Sequence, residues 1–141
     1  MDKTIYTANV TSQGGRDGHI HSSDGVLDLE LAIVDGLGRV SGKQKGTNPE
    51  QLFAGGYAAC FESTLGAVSE AMKIKVNNTS VNAEVNLTKD EHGFHLAVTL
   101  HISLPGMDEE TGNKLIKATH GYCPYSKAID GNVEVTSVLS V

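Results

Sequence analysis

The chain of 141 residues contains two cysteines, Cys60 and Cys123, and these residues have the clearest capacity for chemistry. They lie 63 positions apart, so they do not form the closely spaced thiol pair typical of zinc sites. Cys60 is flanked by aromatic residues and by small ones. This setting suits a core thiol, but it also suits a nucleophile with room for a reactant. The residues alone therefore leave open a thiol enzyme and two structural thiols.

Cys123 carries a more specific signal, because Pro124 follows it directly. A residue before proline is biased out of helical geometry, and proline is favoured at the first position of a helix. We therefore expect Cys123 to cap a short helix over 124–129, whose free backbone N–H groups would stabilise a thiolate. A thiol of low pKa is also a good leaving group when a disulfide is reduced.

The hydrophobic pattern around these cysteines predicts an α+β fold, in which antiparallel sheets pack against two main helices. Asn48 and Pro49 form a start signal for a long helix that continues to about residue 73. A second helix is predicted over 108–122. The predicted strands cover residues 4–10, 19–22, 26–33, 80–87, 94–104 and 132–141.

The middle of the long helix contains two adjacent glycines, Gly55 and Gly56. Each glycine in a helix interior costs about 1 kcal/mol relative to alanine. We interpret this weakness as room for a second backbone beside Cys60, contributed by a partner subunit.

Composition excludes several classes of function. The net charge of −6 and the absence of a basic stripe argue against nucleic-acid binding. No segment approaches 18 consecutive apolar residues, and the first residues do not resemble a signal peptide. We therefore expect a cytoplasmic protein with no membrane association, and the length suits one domain over 1–141.

The histidines and glycines raise the question of a metal or nucleotide site. Six histidines are present, and His19 and His21 share one face of a predicted strand. The sequence has no metal-binding motif to accompany them, so solvent-facing polar residues explain the pair more simply. The glycine-rich segment 38–43 lacks the length and the Ser or Thr of a phosphate-binding loop. We expect neither a metal nor a nucleotide cofactor.

Four motifs together resemble a known family: "GGRDG" (14–18), "GTNPEQLFAGGYAACF" (46–61), "CPYS" (123–126) and "GNVEV" (131–135). They are similar to those of the organic hydroperoxide resistance proteins, the Ohr branch of the Ohr/OsmC superfamily. The resemblance covers essentially the whole chain. The segments "GTNPEQLF" and "CPYSKA" favour Ohr over OsmC.

The resemblance implies a thiol-dependent peroxidase that reduces organic hydroperoxides, including those of fatty acids, to alcohols. By this resemblance Cys60 is the peroxidatic cysteine, Cys123 resolves its sulfenate to a disulfide, and Arg16 and Glu50 organise the reactive thiolate. The family implies a tightly intertwined homodimer. It also implies recycling by dihydrolipoamide or a lipoylated protein, with no metal or bound cofactor.

These roles are physically coherent. A guanidinium from Arg16 would lower the pKa of Cys60 and stabilise a departing alkoxide. A bidentate pair with Glu50 would hold that guanidinium in place. The nearby aromatic residues Phe53, Tyr57 and Phe61 would favour hydrocarbon-bearing peroxides over hydrogen peroxide.

The spacing adds one constraint. Glu50 lies ten positions before Cys60, which is about 15 Å along the axis of a straight helix. Either the helix breaks near Gly55 and Gly56, or Glu50 and Arg16 act at the Cys60 of the other subunit, and we expect the second.

Three alternative functions remain open. They are an OsmC-type peroxidase, a non-catalytic dimeric protein that binds lipid-like ligands, and a redox sensor. The last would need a DNA-binding or partner-docking element, and no basic recognition helix is present.

Overall fold

The computed structural model describes residues 1–141, which group into two compact units, Met1–Pro49 and Glu50–Val141. Each unit contains one three-stranded sheet, and the second unit also contains three helices. The predicted α+β class is therefore confirmed. The assignment of 1–141 to a single domain stays a prediction.

The N-terminal unit is built on an antiparallel sheet of strands β1 (Val10–Gln13), β2 (His19–Ser22) and β3 (Asp28–Glu30), with β2 in the centre. The strand predicted over 4–10 is wrong except at Val10, since β1 begins there and runs on to Gln13, and the strand predicted over 26–33 is reduced to β3. Ile20 and Leu31 are the only buried hydrophobic side chains of this unit. A longer strand would gain little from burial within the chain.

The C-terminal unit begins with helix α1 (Pro49–Ala71) and the hairpin of β4 (Ser80–Asp90) and β5 (Gly93–Ser103). The hairpin is the one predicted, with Asp90 paired to Gly93 at its turn. Helices α2 (Glu109–Tyr122) and α3 (Pro124–Ile129) follow, and β6 (Glu134–Ser140) ends the unit.

The second sheet departs from the prediction in one pairing. Strand β6 lies parallel to β5, so this sheet is mixed rather than wholly antiparallel. The reason is the connection between the two strands, which runs through α2 and α3. A crossover of that length returns the chain to the end of the sheet at which β5 began, as parallel pairing requires.

One hydrophobic core holds the C-terminal unit together. Helix α1 contributes an apolar stripe at spacings of four residues, in which Tyr57, Phe61 and Leu65 are fully buried. Alternation along β5 places its apolar residues on one face of the sheet, where they join the helices. The buried core residues are Tyr57, Phe61, Leu65, Val68, Val98, Leu100, Ile102, Leu104, Leu115, Ile116 and Cys123.

The helices begin where their sequence signals lie. Helix α1 starts at Pro49. Helix α2 is capped by Asp108, whose carboxylate accepts a 2.8 Å hydrogen bond from the backbone N–H of Thr111. None of the helices is long and apolar enough to cross a membrane.

Candidate active site

The two cysteines meet inside the C-terminal unit. Cys60 lies on α1 and Cys123 at the junction of α2 and α3, and their sulfur atoms are 3.9 Å apart. Both are free thiols; Cys123 is completely buried, while Cys60 is partly exposed. A disulfide needs a sulfur–sulfur distance of about 2.05 Å. A small movement is therefore enough to join residues that are 63 positions apart in the sequence.

The surroundings of Cys60 within this unit do not activate it. Burial raises the pKa of the Cys60 thiol, and the neighbouring Cys123 thiol adds to that effect. The backbone N–H of Tyr125 donates a hydrogen bond to the Cys60 sulfur and acts in the opposite direction, but burial is the larger influence. A reactive thiolate at this position therefore requires a positive charge nearby.

The backbone amides at the start of α3 contact a different cysteine from the one predicted. Cys123 is the N-cap of α3 as expected, with extended backbone angles, but its side chain makes no capping hydrogen bond. The expected hydrogen bond from the α3 amides to the Cys123 sulfur is therefore not formed. The amide of Tyr125, at the second position of α3, is directed to Cys60 instead.

The glycine at position 56 is explained by the same short helix. A β-carbon built on Gly56 would lie 2.7 Å from the hydroxyl oxygen of Tyr125 and 3.2 Å from its ring. The ring of Tyr125 also stacks on Tyr57, with centroids 5.9 Å apart. The room at Gly56 is thus taken by a side chain of the same chain rather than by a partner backbone, while Gly55 has open space beside it.

Sequence reasoning missed three residues that support the thiol pair. Tyr125 and Ser126 lie in the "CPYS" motif, where only the cysteine and proline were given roles. His120 was one of six histidines without a distinguishing motif. The structure places His120 against Ser126, with the ring nitrogen Nδ1 2.9 Å from the serine oxygen.

Arg16 lies in the N-terminal unit, on a short 3-10 turn, Gly15–Asp17. The two glycines before it adopt positive φ angles, +81° at Gly14 and +60° at Gly15, which L-amino acids rarely adopt. This is the physical reason for the "GGR" sequence. The turn presents a single arginine between a glycine pair and an anchored aspartate.

The anchoring of that turn comes from residues 41–43. The carboxylate of Asp17 accepts hydrogen bonds from the Ser41 hydroxyl and the Gly42 amide, and the Ser41 bond holds the pKa of Asp17 below its usual range. The ammonium group of Lys43 donates to the Gly18 carbonyl at 2.6 Å and pairs with Glu30. Both flanks of Arg16 are therefore fixed within the N-terminal unit.

Glu50 lies in the first turn of α1, as predicted. Helix α1 is continuous from Pro49 to Ala71, so it does not break at the two glycines. Glu50 is therefore about 15 Å from Cys60 along the axis of one helix. Of the two arrangements that the spacing allowed, the broken helix is excluded.

Most of the aromatic residues predicted to favour hydrocarbon-bearing substrates lie in the protein core. Tyr57 and Phe61 are fully buried in the core, so they do not face a substrate directly. Phe53 is only partly buried, and it packs edge-on against Tyr57 and Tyr125. Of the three aromatic residues, only Phe53 remains as a candidate contact for a hydrocarbon chain.

Comparison with known proteins agrees with this architecture. The sequence profile of the OsmC-like proteins matches residues 42–138. The chain is also 47% identical over 138 residues to the organic hydroperoxide resistance protein OhrA of Bacillus subtilis, covering 96% of each chain. It belongs to the organic hydroperoxide resistance branch of the OsmC-like family. The resemblance read from the four sequence motifs is confirmed.

Other members of the family give the same picture. The organic hydroperoxide resistance protein of Xanthomonas axonopodis pv. citri is 43% identical over 140 residues, with 99% of this chain and 97% of that one covered. The crystal structure of OhrB of Bacillus subtilis superposes with a TM-score of 0.89 at 43% identity, covering 97% of this chain and all of the other. The predicted Ohr/OsmC-like fold is therefore confirmed.

Proposed function

We propose that this protein is a cysteine-based peroxidase that reduces organic hydroperoxides, including those of fatty acids, to alcohols. The observation that carries the proposal is the 3.9 Å separation of the Cys60 and Cys123 sulfur atoms, one partly exposed and the other buried. Membership of a family whose named members are organic hydroperoxide resistance proteins supports the same substrate class.

The first step is attack by the Cys60 thiolate on the terminal oxygen of the hydroperoxide. The O–O bond breaks, an S–O bond forms, and the leaving alkoxide takes up a proton to become the alcohol. Cys60 is oxidised to a sulfenic acid. Because burial raises the pKa of Cys60, the guanidinium of Arg16 is assigned to stabilise both the thiolate and the alkoxide. Glu50 holds that guanidinium through a carboxylate pair.

The second step joins the two cysteines. The Cys123 sulfur attacks the Cys60 sulfur, the S–O bond breaks as an S–S bond forms, and the hydroxyl of the sulfenic acid leaves as water with the Cys123 proton. A dihydrolipoyl group, free or on a lipoylated protein, then restores both thiols by exchange and becomes the cyclic disulfide. In this scheme the thiols do the redox chemistry themselves, with no metal or bound cofactor.

An intertwined homodimer with shared sites is part of the proposed function. The N-terminal unit leaves Ile5, Tyr6, Val26 and Val40 exposed, more apolar side chains than the two that it buries. A second copy of the chain would cover such a surface. The unbroken helix between Glu50 and Cys60 favours an arrangement in which the arginine–glutamate pair of one subunit acts at Cys60 of the other.

A peroxidase assay with cumene hydroperoxide and dihydrolipoamide tests the function. We expect turnover in the wild type and none in Cys60→Ser. Without the reductant, Cys123→Ser should consume one equivalent of peroxide and then stop at the sulfenate, because no second protein thiol resolves it. Full turnover by Cys60→Ser would overturn the assignment.

Counting the thiols of the reduced protein in the absence of dihydrolipoamide separates the peroxidase from a non-catalytic lipid-binding protein. A binding protein loses no thiol when a fatty-acid hydroperoxide is added, whereas the peroxidase loses both thiols stoichiometrically. Comparing cumene hydroperoxide with hydrogen peroxide further tests the preference for hydrocarbon-bearing substrates, and Phe53→Ala should reduce that preference.

A further inference from the structure

A chain of hydrogen bonds crosses the C-terminal unit behind the thiol pair. The buried Tyr57 hydroxyl lies 2.7 Å from the Ser126 oxygen, and that oxygen lies 2.9 Å from Nδ1 of His120. Nε2 of His120 lies 2.8 Å from the Ser137 oxygen. These four side chains join α1, α3, α2 and β6, so one chain of contacts fixes the short helix α3 on three other elements.

The number of hydrogen-bond donors and acceptors determines which group donates in each of these hydrogen bonds. Ser126 is the only side-chain partner of the Tyr57 hydroxyl, and Tyr57 is completely buried. Ser126 is buried as well, so for both hydroxyl protons to be paired Tyr57 must donate to Ser126 and Ser126 must donate to Nδ1 of His120. Nδ1 then carries no proton, and Nε2 donates to Ser137. The intact chain thus requires neutral His120.

Protonation of His120 would reverse these bonds. With both ring nitrogens acting as donors, neither hydroxyl could donate to the ring, so either the Tyr57 or the Ser126 proton would have no acceptor. An unpaired buried hydroxyl is costly, so the positive form of His120 is disfavoured.

The charged groups around His120 are few. From α3 and its end, Lys127 and Asp130 line the same cavity of about 470 Å³, while α1 contributes Tyr57 and β6 contributes only Ser137 and apolar residues. Burial lowers the pKa of His120, and the opposing attraction of Asp130 is the smaller influence. The ring is only partly covered, so it exchanges protons with solvent.

We propose that neutral His120 is a positioning residue for the step in which Cys123 attacks the Cys60 sulfenate. It acts through Ser126, which lies three residues after Cys123 on α3 and is tied to Tyr57, three residues before Cys60 on α1. The chain thereby holds the two sulfur atoms close and keeps the Tyr125 amide on Cys60. This inference rests on the proposed peroxidase function, and it adds an acid-sensitive element to the resolving step.

The resolving step provides the test. Reduced protein is mixed with one equivalent of cumene hydroperoxide, quenched at set times, and the sulfenate and disulfide forms are counted by mass spectrometry. His120→Ala should form the disulfide at least about fivefold more slowly at neutral pH, because the Ser126 proton loses its acceptor. His120→Asn offers a neutral acceptor at the same place, so it should restore most of the rate.

Measuring disulfide formation at lower pH makes the rescue by His120→Asn a more specific test. Acid slows thiol–disulfide chemistry in every variant, because the thiolate is the attacking species, so the readout is the ratio of the His120→Asn rate to the wild-type rate. We expect this ratio to rise as pH falls, because the asparagine side chain cannot take up a proton whereas His120 can. The matched control is His92→Asn, at an exposed hairpin turn, whose ratio should stay flat.

A second readout does not depend on turnover. In a nuclear magnetic resonance titration, the double variant Tyr57→Phe/Ser126→Ala should raise the pKa of His120, because it has no buried hydroxyl proton to leave unpaired. If His120→Ala fails to fold, this titration and the asparagine variant carry the test. A flat rate ratio with an unchanged His120 pKa would overturn the positioning role while leaving the peroxidase intact. Failure of the wild type to consume peroxide would overturn the proposed function itself.

Discussion

The Tyr125 side chain fills the space that a side chain at Gly56 would need: a β-carbon at position 56 would lie 2.7 Å from the tyrosine hydroxyl. Helix α1 has no side chain at the position where the Tyr125 ring of α3 packs against it. The backbone N–H of the same Tyr125 donates to Cys60, one turn further along α1. The glycine therefore allows the start of α3, and with it Cys123, to approach the thiol.

The adjacent glycines should respond oppositely to alanine. Gly56→Ala forces Tyr125 to move, so we expect it to lower the free energy of unfolding by about 1–3 kcal/mol and to slow peroxide reduction. Gly55→Ala meets no atom within 4 Å, so it should raise the free energy of unfolding by about 0.5–1 kcal/mol through helix propensity alone. Urea unfolding and the peroxidase assay measure both effects. Destabilisation by Gly55→Ala would instead show that a partner surface covers this position.

Removal of the arginine should leave Cys60 as a weak nucleophile. Burial raises the pKa of Cys60 and the Tyr125 amide does not offset it. In Arg16→Ala we therefore expect that pKa to lie above the value of an ordinary cysteine, and peroxide reduction at neutral pH to fall by on the order of tenfold or more. Ultraviolet absorbance of the thiolate against pH measures the change.

The control for this variant is Arg39→Ala, which removes the same charge from an exposed position. It should leave the Cys60 titration unchanged. Equal shifts in the two variants would show that net charge, rather than Arg16 itself, sets the reactivity.

Mixed dimers test whether the sites are shared. A heterodimer of Cys60→Ser and Glu50→Ala chains has one complete site if Glu50 acts across the interface, and none if it acts within its own chain. Purified heterodimers should therefore show about half of wild-type activity, and a statistical mixture about one quarter. Inactivity in every mixture would place Glu50 and Cys60 of one chain in the same site.

Stability should depend on pH through His120. Burial lowers its pKa in the folded state, so below the ordinary value of about 6.5 the unfolded chain binds a proton that the folded chain does not. The free energy of unfolding should thus fall as pH falls from that value to the lowered pKa, by less than about 1.4 kcal/mol per pH unit, the ceiling for one proton. Thermal unfolding of the reduced protein across this range measures the slope.

His120→Asn should flatten that dependence, because asparagine binds no proton. His92→Asn, at an exposed turn, should follow the wild type. Parallel curves for the wild type and His120→Asn would show that acid destabilisation comes from other groups.

The local elements of this protein were predictable from its sequence. The start of α1 at Pro49, the cap of α2 at Asp108 and the start of α3 after Cys123 follow from short-range rules about proline and side-chain capping. The apolar stripe of α1 follows from helical periodicity. Two cysteines, one before a proline, were also enough to suggest a thiol pair.

The tertiary structure decided how these elements meet. The parallel pairing of β6 depends on the crossover through two helices, and the shortened first strands depend on how little that unit buries. The 3.9 Å approach of Cys60 to Cys123 and the fit of Tyr125 over Gly56 join residues more than 60 positions apart. Sequence periodicity determines the geometry of single helices and strands. Contacts between residues distant in the sequence arise only when separate elements pack around one core. For the same reason the role of His120 could be read only from the hydroxyl groups that folding placed against it.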